Sequence, residues 1–422
     1  MKVFKFGGGI LHSAEAVKKI PLIINMFPNE PLIIVVSAFG KTTNALEKLI
    51  AARHHEDETQ NIIGTLKDYH LEILKDLFQS DSDKVFSKTK GIWDAMNRIT
   101  QMDQPGIYSE YYDQVICLGE LLASIIVSYA LESYGHNNDW LDVRTVLKTD
   151  SNFREAAVDW ETSRANTNKE IIPLFEKSTN NRPLIVTQGF IGSDRLGRST
   201  SLGREGSDYT ASILANLLDA DEVIIWKDVP GILNADPKHF SHTVKLDQIS
   251  YSEATELAYY GAKVIHPKTV KPLQNKGIPL QVRSFDNPDE PGTLIHATAE
   301  SDTSIPNFIF KFDQVLISVS TRDLSFINEK VFNDVFSLLS TLSIHVNIIQ
   351  NSALTLSFCT DNHPNTEELI RSLQEKYFVK YNRGLELITI RHFNEKACET
   401  VLQNRQVFLE QQNRTVVQYV VR

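Results

Sequence analysis

The chain contains 422 residues, of which 42% are hydrophobic and 23% are charged, and its formal net charge is −10. This length allows two or more domains, and the acidic balance argues against a surface built to bind nucleic acid. The three cysteines, Cys117, Cys359 and Cys398, lie far apart without a CxxC pair, which predicts no disulfide framework and no structural zinc site.

The chain shows no pattern for export or membrane insertion. Its first residues lack the apolar core of a signal peptide. The run LLASIIVSYAL, from Leu121 to Leu131, is long enough for a buried helix and too short for a membrane span. We therefore expect a cytoplasmic protein without a membrane partner.

The first part of the chain alternates apolar runs with amphipathic stretches. KVFKF, PLIIVVSAF, RPLIVTQGFIG and ADEVIIWKDV are rich in β-branched or aromatic residues, as buried parallel strands are. SAEAVKKIPLIINMF and SDYTASILANLLDA have helical spacing. This alternation predicts an α/β core around a mainly parallel sheet. Residues 46–112 are polar and helical in pattern, so we expect a helical insert beside the sheet.

A small, polar segment that ends in proline, HATAESDTSIPNF, follows the α/β pattern and marks a boundary. Beyond it the runs QVLISVS, EKVFNDVFSLLSTLS, HVNIIQ, ALTLSFC, TEELIRSLQEKY and LELITIRHF predict the ferredoxin-like order β-α-β-β-α-β. The tail RQVFLEQQNRTVVQYVVR predicts a hairpin. We expect one domain over residues 1–300 and a second region over residues 305–422.

A glycine run, Gly7 to Gly9, joins the first predicted strand to the first predicted helix and directly follows Lys5 and Phe6. Backbone N–H groups in such a turn can bind an anion, although the same glycines could serve only a tight turn. SAFGKTTN, from Ser37, contains Gly-Lys-Thr, but Val35 stands where a P-loop requires its first glycine. A P-loop is therefore excluded.

TSLGREGSDYTA places Arg204 before Ser207 and Asp208 at a predicted helix start. An arginine can bind a carboxylate through two hydrogen bonds, and an aspartate can orient phosphate-binding lysines. Alternatively, Ser207 only caps the helix and Asp208 only favours its dipole. In CLGELLAS, Glu120 begins a predicted apolar helix, where it either matches the dipole or binds an amine.

Two later stretches carry further polar candidates. IIWKDVPGILNADPK contains Lys227, Asp228 and Asp236, and the two aspartates could also be ordinary turn residues. YYGAKVIHPKTV places Lys263 and His266 at a helix-to-loop transition. We interpret His266 as a structural residue.

Taken in order, these stretches closely resemble the aspartate kinases of the amino-acid kinase family. The matching stretches are KFGG, SAFGKTTN, GE at Gly119, TQGFIG, TSLGREGSDYTA, WKDVPGILNADP, ISYSEATELAYYGAKVIHP and GTLI at Gly292. They span nearly all of residues 1–300, and the second half resembles the ACT regulatory module of this family. The resemblance implies a three-layer sandwich around a mainly parallel sheet, followed by an α+β ferredoxin-like ACT region.

The resemblance implies ATP-dependent phosphorylation of the side-chain carboxylate of L-aspartate to 4-phospho-L-aspartate, the first step towards lysine, threonine and methionine. By analogy, Lys5 contacts the transferring phosphate, Gly7 and Gly8 donate N–H groups to it, and Asp208 organises Lys5. Mg²⁺ is expected to be held mainly by the ATP phosphates, so no metal-binding side chain is assigned. A homodimer formed through the ACT region is also expected.

The resemblance assigns the remaining candidates to the two substrates. Arg204 would hold the α-carboxylate of aspartate and Glu120 its amino group, while Thr43 and Ser207 complete that pocket. The residues expected along the nucleotide are Lys227, Asp228, Asp236 and Lys263.

The chain departs from the family pattern at several positions. Gly9 and Ile10 stand where hydroxyl residues are usual, Glu205 stands where glycine is common, and Lys227 stands where threonine is common. None of these removes the charged residues assigned to the site, so we expect activity. In the second region the turn STRDLSFINEKVF lacks glycine, and the second ACT module is apparently truncated. We therefore expect weak or no feedback inhibition by lysine or threonine.

Two alternatives remain open from the sequence. The first is another small-carboxylate kinase of the same fold, such as an acetylglutamate or glutamate kinase. The second is a non-catalytic sensor that retains the fold and binds amino acids.

Overall fold

The computed structural model describes residues 1–78, 84–101, 107–177, 182–240, 242–262, 265–298, 300–303 and 305–422. Contacts divide the chain into two compact units. The first comprises Met1–Ile232, Leu246–Thr255 and Ile265–Ala299, and the second comprises Leu233–Lys245, Glu256–Val264 and Glu300–Arg422. The second unit therefore includes two short segments that precede the boundary predicted near residue 300.

The first unit contains a larger sheet of eight strands and a separate sheet of two strands. Its strands are β1 (Lys2–Phe6), β2 (Leu32–Val36), β3 (Asp139–Leu141), β4 (Leu184–Gln188), β5 (Ile191–Ser193), β6 (Ser199–Ser201), β7 (Glu222–Lys227), β8 (Gln248–Ser250), β9 (Leu280–Ser284) and β10 (Thr293–His296). Its helices are α1 (Ala14–Asn25), α2 (Thr42–Ala51), α3 (Glu56–Leu77), α4 (Lys84–Thr100), α5 (Tyr108–Ser133), α6 (Val143–Val146), α7 (Trp160–Glu170), α8 (Ile172–Lys177), α9 (Gly206–Leu217), α10 (Tyr251–Tyr260) and α11 (Pro267–Gln274). The last residues of α10 belong to the second unit.

Eight strands form the main sheet in the order β3-β4-β2-β1-β7-β9-β10-β8. The six strands from β3 to β9 run parallel, and the β9–β10 pair is antiparallel. Every residue of β2 and β4 is buried, so both faces of the sheet are covered, as in parallel sheets generally. The predicted α/β core with a mainly parallel sheet is confirmed.

Helices α2 to α5 account for the polar segment that follows β2, and the described part of residues 46–112 contains no strand. Among the described residues one helix, α5, is long and apolar enough to cross a membrane by length and composition, with a mean hydropathy of 1.8. The helix therefore extends beyond the apolar run from Leu121 to Leu131 in both directions. However, 89% of its apolar window is buried inside the fold, which is the environment of a core helix.

The second unit contains an antiparallel sheet of six strands. Its elements are β11 (Asn307–Ser320), α12 (Glu329–Thr341), β12 (Val346–Asn351), β13 (Thr355–Asp361), α13 (Thr366–Lys376), β14 (Phe378–Arg391), α14 (Glu395–Leu402), β15 (Val407–Gln412) and β16 (Val416–Val421). The strand order is β12-β13-β11-β14-β16-β15. The predicted β-α-β-β-α-β order of elements is confirmed, as is the terminal hairpin.

The part of the second unit that the sequence presents as truncated still has four neighbouring strands. The first five residues of β11 pair with the end of β14, from Asn307 opposite Arg391 to Lys311 opposite Leu387, and β14 continues to β16 and β15. Helix α14 packs on these strands, and Phe240, from an earlier part of the chain, stacks on Phe308 with ring centroids 4.5 Å apart. This part of the unit is therefore completed by the start of β11 and by core residues from an earlier segment of the chain.

Candidate active site

The candidate site lies beyond the carboxyl end of β1. Strand β1 pairs with β2 on one side and with β7 on the other, so the chain leaves the centre of the sheet in opposite directions. In open α/β sheets such a change of direction opens a crevice in which ligands bind. Lys5 lies near the end of β1 and Lys227 is the last residue of β7.

The Asp208 carboxylate contacts two lysines in this crevice. Lys5 Nζ forms a close ion pair with Asp208 Oδ1, and Lys227 Nζ lies 3.7 Å from Oδ2. Asp208 is only 1% exposed. Burial by itself raises the pKa of Asp208, but the ammonium groups of Lys5 and Lys227 outweigh burial and lower it below its usual value. The ionised carboxylate therefore holds two positive charges close together.

The glycine turn after β1 supplies backbone donors next to Lys5. Among the described residues, no backbone carbonyl accepts a hydrogen bond from the N–H groups of Gly7, Gly8 or Gly9. A Cβ atom on Gly8 would lie 2.4 Å from the carbonyl oxygen of Ala38, so only glycine fits there. This turn therefore packs directly against the turn that follows β2.

The neighbouring position, Gly9, differs from Gly8 in its surroundings. A Cβ atom on Gly9 would meet no atom within 4 Å, so the fold does not require glycine at this position. Ile10 is only 6% exposed and belongs to the hydrophobic core. The resemblance leads one to expect hydroxyl side chains at both Gly9 and Ile10. Only position 9 has free space next to it that a side chain could occupy.

Glu120 lies near the middle of α5, not at a helix start as predicted. A dipole contact at a helix start therefore does not explain this residue. Its Oε2 atom accepts a hydrogen bond from the Ala38 N–H at 3.0 Å. Burial raises the pKa of Glu120 to about 8, although the Ala38 hydrogen bond and Lys5 act in the opposite direction. A buried carboxylic acid at this place can bind an amine by giving up its proton.

Two adjoining cavities connect these groups. The first, of about 270 Å³, is lined by residues that include Lys5, Thr43, Glu120, Ser207 and Asp208. The second, of about 570 Å³, shares Thr43, Phe190 and Glu205 with the first and is also lined by Arg204. The fold thus brings most of the predicted site residues together from four separate parts of the chain.

The loop before α9 has an unusual backbone conformation. Glu205 precedes the helix with φ 57° and ψ 24°, in the left-handed region that favours glycine. This conformation agrees with the glycine that the resemblance leads one to expect at this position. Ser207 lies inside the first turn of α9, so the alternative that it caps the helix is wrong. A Cβ atom on Gly189 would lie 2.4 Å from the side chain of Ser207, so the turn after β4 touches the start of α9.

The remaining predicted residues are more dispersed. Asp228 is exposed in the turn after β7. Asp236 belongs to the second unit, is exposed and accepts a hydrogen bond from the Lys238 N–H at 2.9 Å. Lys263 lies outside the described residues. The His266 side chain caps α11 by accepting from the Lys268 N–H at 3.2 Å, which confirms its structural interpretation.

Sequence reasoning missed Asp113, which lies on α5 seven residues before Glu120. Asp113 is fully buried, and its carboxylate accepts hydrogen bonds from the Ser201 N–H at 2.8 Å, the Ser201 hydroxyl at 2.6 Å and the Arg154 N–H at 2.9 Å. The signal was present in the sequence, because a carboxylate inside an otherwise apolar helix needs a partner. Within the described residues, no three His, Cys, Asp or Glu side chains are placed to hold a metal ion.

Comparison with known proteins gives a consistent result. The model of the amino acid kinase family matches residues 1–284. Lysine-sensitive aspartokinase 3 of Escherichia coli is 33% identical over 296 residues, which cover 68% of this chain and 64% of that protein. The chloroplastic aspartokinase 1 of Arabidopsis thaliana is 29% identical over 367 residues, which cover 85% of this chain and 63% of that protein. The chain thus matches less than two thirds of the length of these curated relatives.

Two crystal structures of E. coli aspartokinase III resemble the whole chain. The complex with lysine and aspartate superimposes with a TM-score of 0.82 at 25% identity, covering 100% of this chain and 95% of the other. The complex with aspartate and ADP gives a TM-score of 0.81 at 26% identity, covering 100% and 96%. Both the mainly parallel sheet and the antiparallel C-terminal sheet therefore have counterparts in one known protein.

Proposed function

The chain belongs to the amino acid kinase family, and from that premise we propose that it is an aspartate kinase. In this reaction a side-chain carboxylate oxygen of L-aspartate attacks the γ-phosphorus of ATP. The bond to the oxygen that bridges the β- and γ-phosphates breaks, and ADP and 4-phospho-L-aspartate form. The observation that carries the proposal is the buried Asp208 carboxylate held between Lys5 and Lys227, beside the buried Glu120.

The lysines suit phosphoryl transfer because that reaction depends on positioning and on neutralising charge. Lys5 would contact the transferring phosphoryl group, and the Gly7 and Gly8 N–H groups would donate to it. Asp208 would hold Lys5 and Lys227 in place through its two ion pairs. The product is an acyl phosphate formed directly from the two substrates, so the proposal requires no covalent enzyme intermediate.

The first cavity suits an amino acid acceptor. Glu120 would bind the ammonium group, because a carboxylate with a raised pKa ionises when a positive charge arrives next to it. Arg204, on the adjoining second cavity, would bind the α-carboxylate, and Thr43 and Ser207 would complete the pocket. The similarity to aspartokinases, including one solved with aspartate and ADP, supports L-aspartate as the acceptor.

The nucleotide is proposed to lie along Lys227, Asp228, Asp236 and Lys263, with Mg²⁺ bound mainly to the ATP phosphates. The side chains near the site are consistent with this arrangement. The buried Asp208 carboxylate, which could otherwise bind Mg²⁺, is already engaged by two lysines. Mg²⁺ commonly keeps several waters and binds through substrate phosphates with few protein ligands.

Trapping the acyl phosphate tests the proposal directly. The protein is incubated with MgATP, hydroxylamine and one acceptor at a time: L-aspartate, L-glutamate or N-acetyl-L-glutamate. We expect hydroxamate formation with L-aspartate. Hydroxamate from another acceptor alone would identify one of the rival small-carboxylate kinases. Binding of L-aspartate without hydroxamate or ADP would identify the non-catalytic sensor.

We further propose that the protein acts in the cytoplasm as a homodimer formed through its ACT-type region, in the first step towards lysine, threonine and methionine. Light scattering after size exclusion should give twice the mass of 47.8 kDa. A monomeric mass at micromolar concentration would contradict the dimer and leave the proposed reaction unaffected.

A further inference from the structure

Two arginine side chains line the second cavity without a hydrogen bond or ion pair to the described residues. Arg154 and Arg204 both line it. Neither guanidinium group forms a hydrogen bond or an ion pair with another of the residues that the structure describes. Two unpaired cations on one cavity favour an anionic ligand, because a guanidinium group offers several donors in a fixed plane.

The same cavity carries an unusual concentration of backbone strain. Arg154 has φ 72°, Phe190 has φ 71° and Glu205 has φ 57°, so three residues with side chains adopt a left-handed φ along one cavity. Such a conformation is unfavourable for a residue with a side chain and persists only where the surroundings impose it. Strained residues of this kind cluster at ligand sites, and this cluster adjoins the proposed acceptor pocket.

Buried contacts fix Arg154 in this conformation. Its N–H donates to the buried Asp113 carboxylate, which also holds Ser201 at the base of the loop that carries Arg204. The Arg154 guanidinium group stacks over the Tyr112 ring at 4.4 Å, and the Tyr112 hydroxyl donates to Glu47 at 2.7 Å. Stacking occupies the face of the guanidinium group and leaves its N–H edges available for a planar carboxylate.

We propose that Arg154 is a specificity-determining residue that binds the acceptor carboxylate that is not phosphorylated, together with Arg204. This inference rests on the proposed function, since it concerns the same acceptor. The other charged residues on this cavity are Glu47, Glu155 and Glu205. Glu47 is engaged by Tyr112, and Glu155 and Glu205 are exposed to solvent, as are Arg154 and Arg204.

Binding of two ligands to the unmodified chain and to one variant tests this role. Calorimetry measures the binding of L-aspartate and of its α-amide, isoasparagine, to the unmodified full chain and to Arg154→Gly. The α-amide keeps the amino group and the β-carboxylate, but an uncharged carboxamide replaces its α-carboxylate. We expect Arg154→Gly to weaken L-aspartate binding about tenfold, the effect of one charge-assisted contact, and to leave isoasparagine binding within twofold.

The variants also report on folding. Glycine relieves the left-handed strain at this position, so Arg154→Gly should unfold at an equal or higher temperature than the unmodified chain. The control is Arg195→Gly, because the Arg195 side chain is 89% exposed and does not line either cavity. This control should change the binding of neither ligand. Equal weakening of both ligands by Arg154→Gly, or no weakening of L-aspartate binding, would overturn the proposed role.

The outcome is separable from the proposed function. If the unmodified protein forms no hydroxamate but Arg154→Gly selectively weakens L-aspartate binding, the kinase proposal fails and the assignment of Arg154 stands. If hydroxamate forms and the two ligands respond equally, the kinase proposal stands and the assignment fails.

Discussion

Lys5 and Asp208 cannot be altered independently, because each neutralises the other in a buried place. Removal of one partner from a buried ion pair costs about 3–5 kcal/mol, because the other charge stays behind. If Lys5 is removed, Lys227, 3.7 Å from Asp208, neutralises the remaining carboxylate only in part. Stability and catalysis at this pair therefore need separate measurements.

We expect Lys5→Met to lower kcat by about 10³-fold or more, because the transferring phosphoryl group loses its main counter-charge. The same variant should lose about 3 kcal/mol in the free energy of unfolding by urea. The double variant Lys5→Met/Asp208→Asn should recover most of that stability but no activity. Lys19→Met is the control, because Lys19 is half-buried, pairs with Asp286 and lines neither cavity. Full turnover by Lys5→Met would refute the assigned role of Lys5.

Glu120 should make stability depend on pH. Its pKa is raised in the folded chain from 4.5 to about 8, so between these values the folded state retains a proton that the unfolded state has released. The free energy of unfolding therefore falls as pH rises through this window. We expect Glu120→Gln to be more stable than the unmodified chain at pH 8.5, by about 1 kcal/mol or more, and little different at pH 4.5.

Denaturant unfolding of both proteins at the two pH values measures this difference. The amide oxygen of Gln can still accept from the Ala38 N–H, so the comparison isolates the buried charge. A difference in stability that does not change with pH would contradict a raised pKa at Glu120.

At the scale of elements, the turn after β1 packs against the turn after β2, and this packing depends on the close approach of Gly8 to Ala38. A Cβ atom on Gly8 would meet the Ala38 carbonyl oxygen at 2.4 Å, whereas one on Gly9 would meet nothing within 4 Å. We expect Gly8→Ala to destabilise the chain by about 1–3 kcal/mol and to lower kcat, because the turn proposed to bind phosphate must move. The adjacent Gly9→Ala variant should change both quantities little. Unfolding curves and initial rates for the pair of variants provide the test, and equal effects would contradict this packing.

Helix α9 begins from a strained residue. The left-handed conformation of Glu205 costs about 1 kcal/mol relative to glycine, less the backbone entropy that glycine loses on folding. We expect Glu205→Gly to raise the free energy of unfolding by about 0.5 kcal/mol. Glu205→Ala keeps the strain and removes the charge, so it should not stabilise the chain. Stabilisation by both substitutions would show that the charge of Glu205, and not its backbone, is unfavourable.

The elements were predictable wherever the hydrophobic period was strong. The apolar runs of β1, β2, β4 and β7 and the order of elements in the second unit follow directly from side-chain pattern. Errors arose where a buried helix carries polar residues. The start of α5 and the place of Glu120 within it were misjudged because Asp113 and Glu120 look like surface residues until their buried partners are known.

At the scale of the whole molecule, the site is assembled from residues that are far apart in sequence. Motif resemblance selected Lys5, Glu120 and Asp208, but it offered no reason to consider Arg154. That residue became a candidate only because the fold places it on the same cavity as Arg204 and in a left-handed conformation. Backbone strain and cavity membership depend on tertiary structure, so no local pattern could have revealed them.

The turn between β11 and α12 bears on regulation. The resemblance to ACT modules implies an effector site at this strand-to-helix turn, with a glycine in it. Here Leu324 occupies a left-handed position with φ 60° and is 76% exposed. The turn also satisfies its own polar groups, because Thr321 donates to the Ser325 carbonyl at 2.6 Å and Asp323 accepts from the Ser325 hydroxyl at 2.6 Å.

We therefore expect L-lysine and L-threonine at millimolar concentration to leave the initial rate within about twofold, since few groups in this turn remain to bind an effector. The rate of ADP formation is measured at an L-aspartate concentration near KM, where a competing or allosteric effector acts most visibly. The lysine-sensitive aspartokinase 3 of E. coli, assayed in parallel, serves as the positive control. Cooperative inhibition at micromolar lysine would contradict the expectation, and it would require an effector site outside the turn from Thr321 to Asn328.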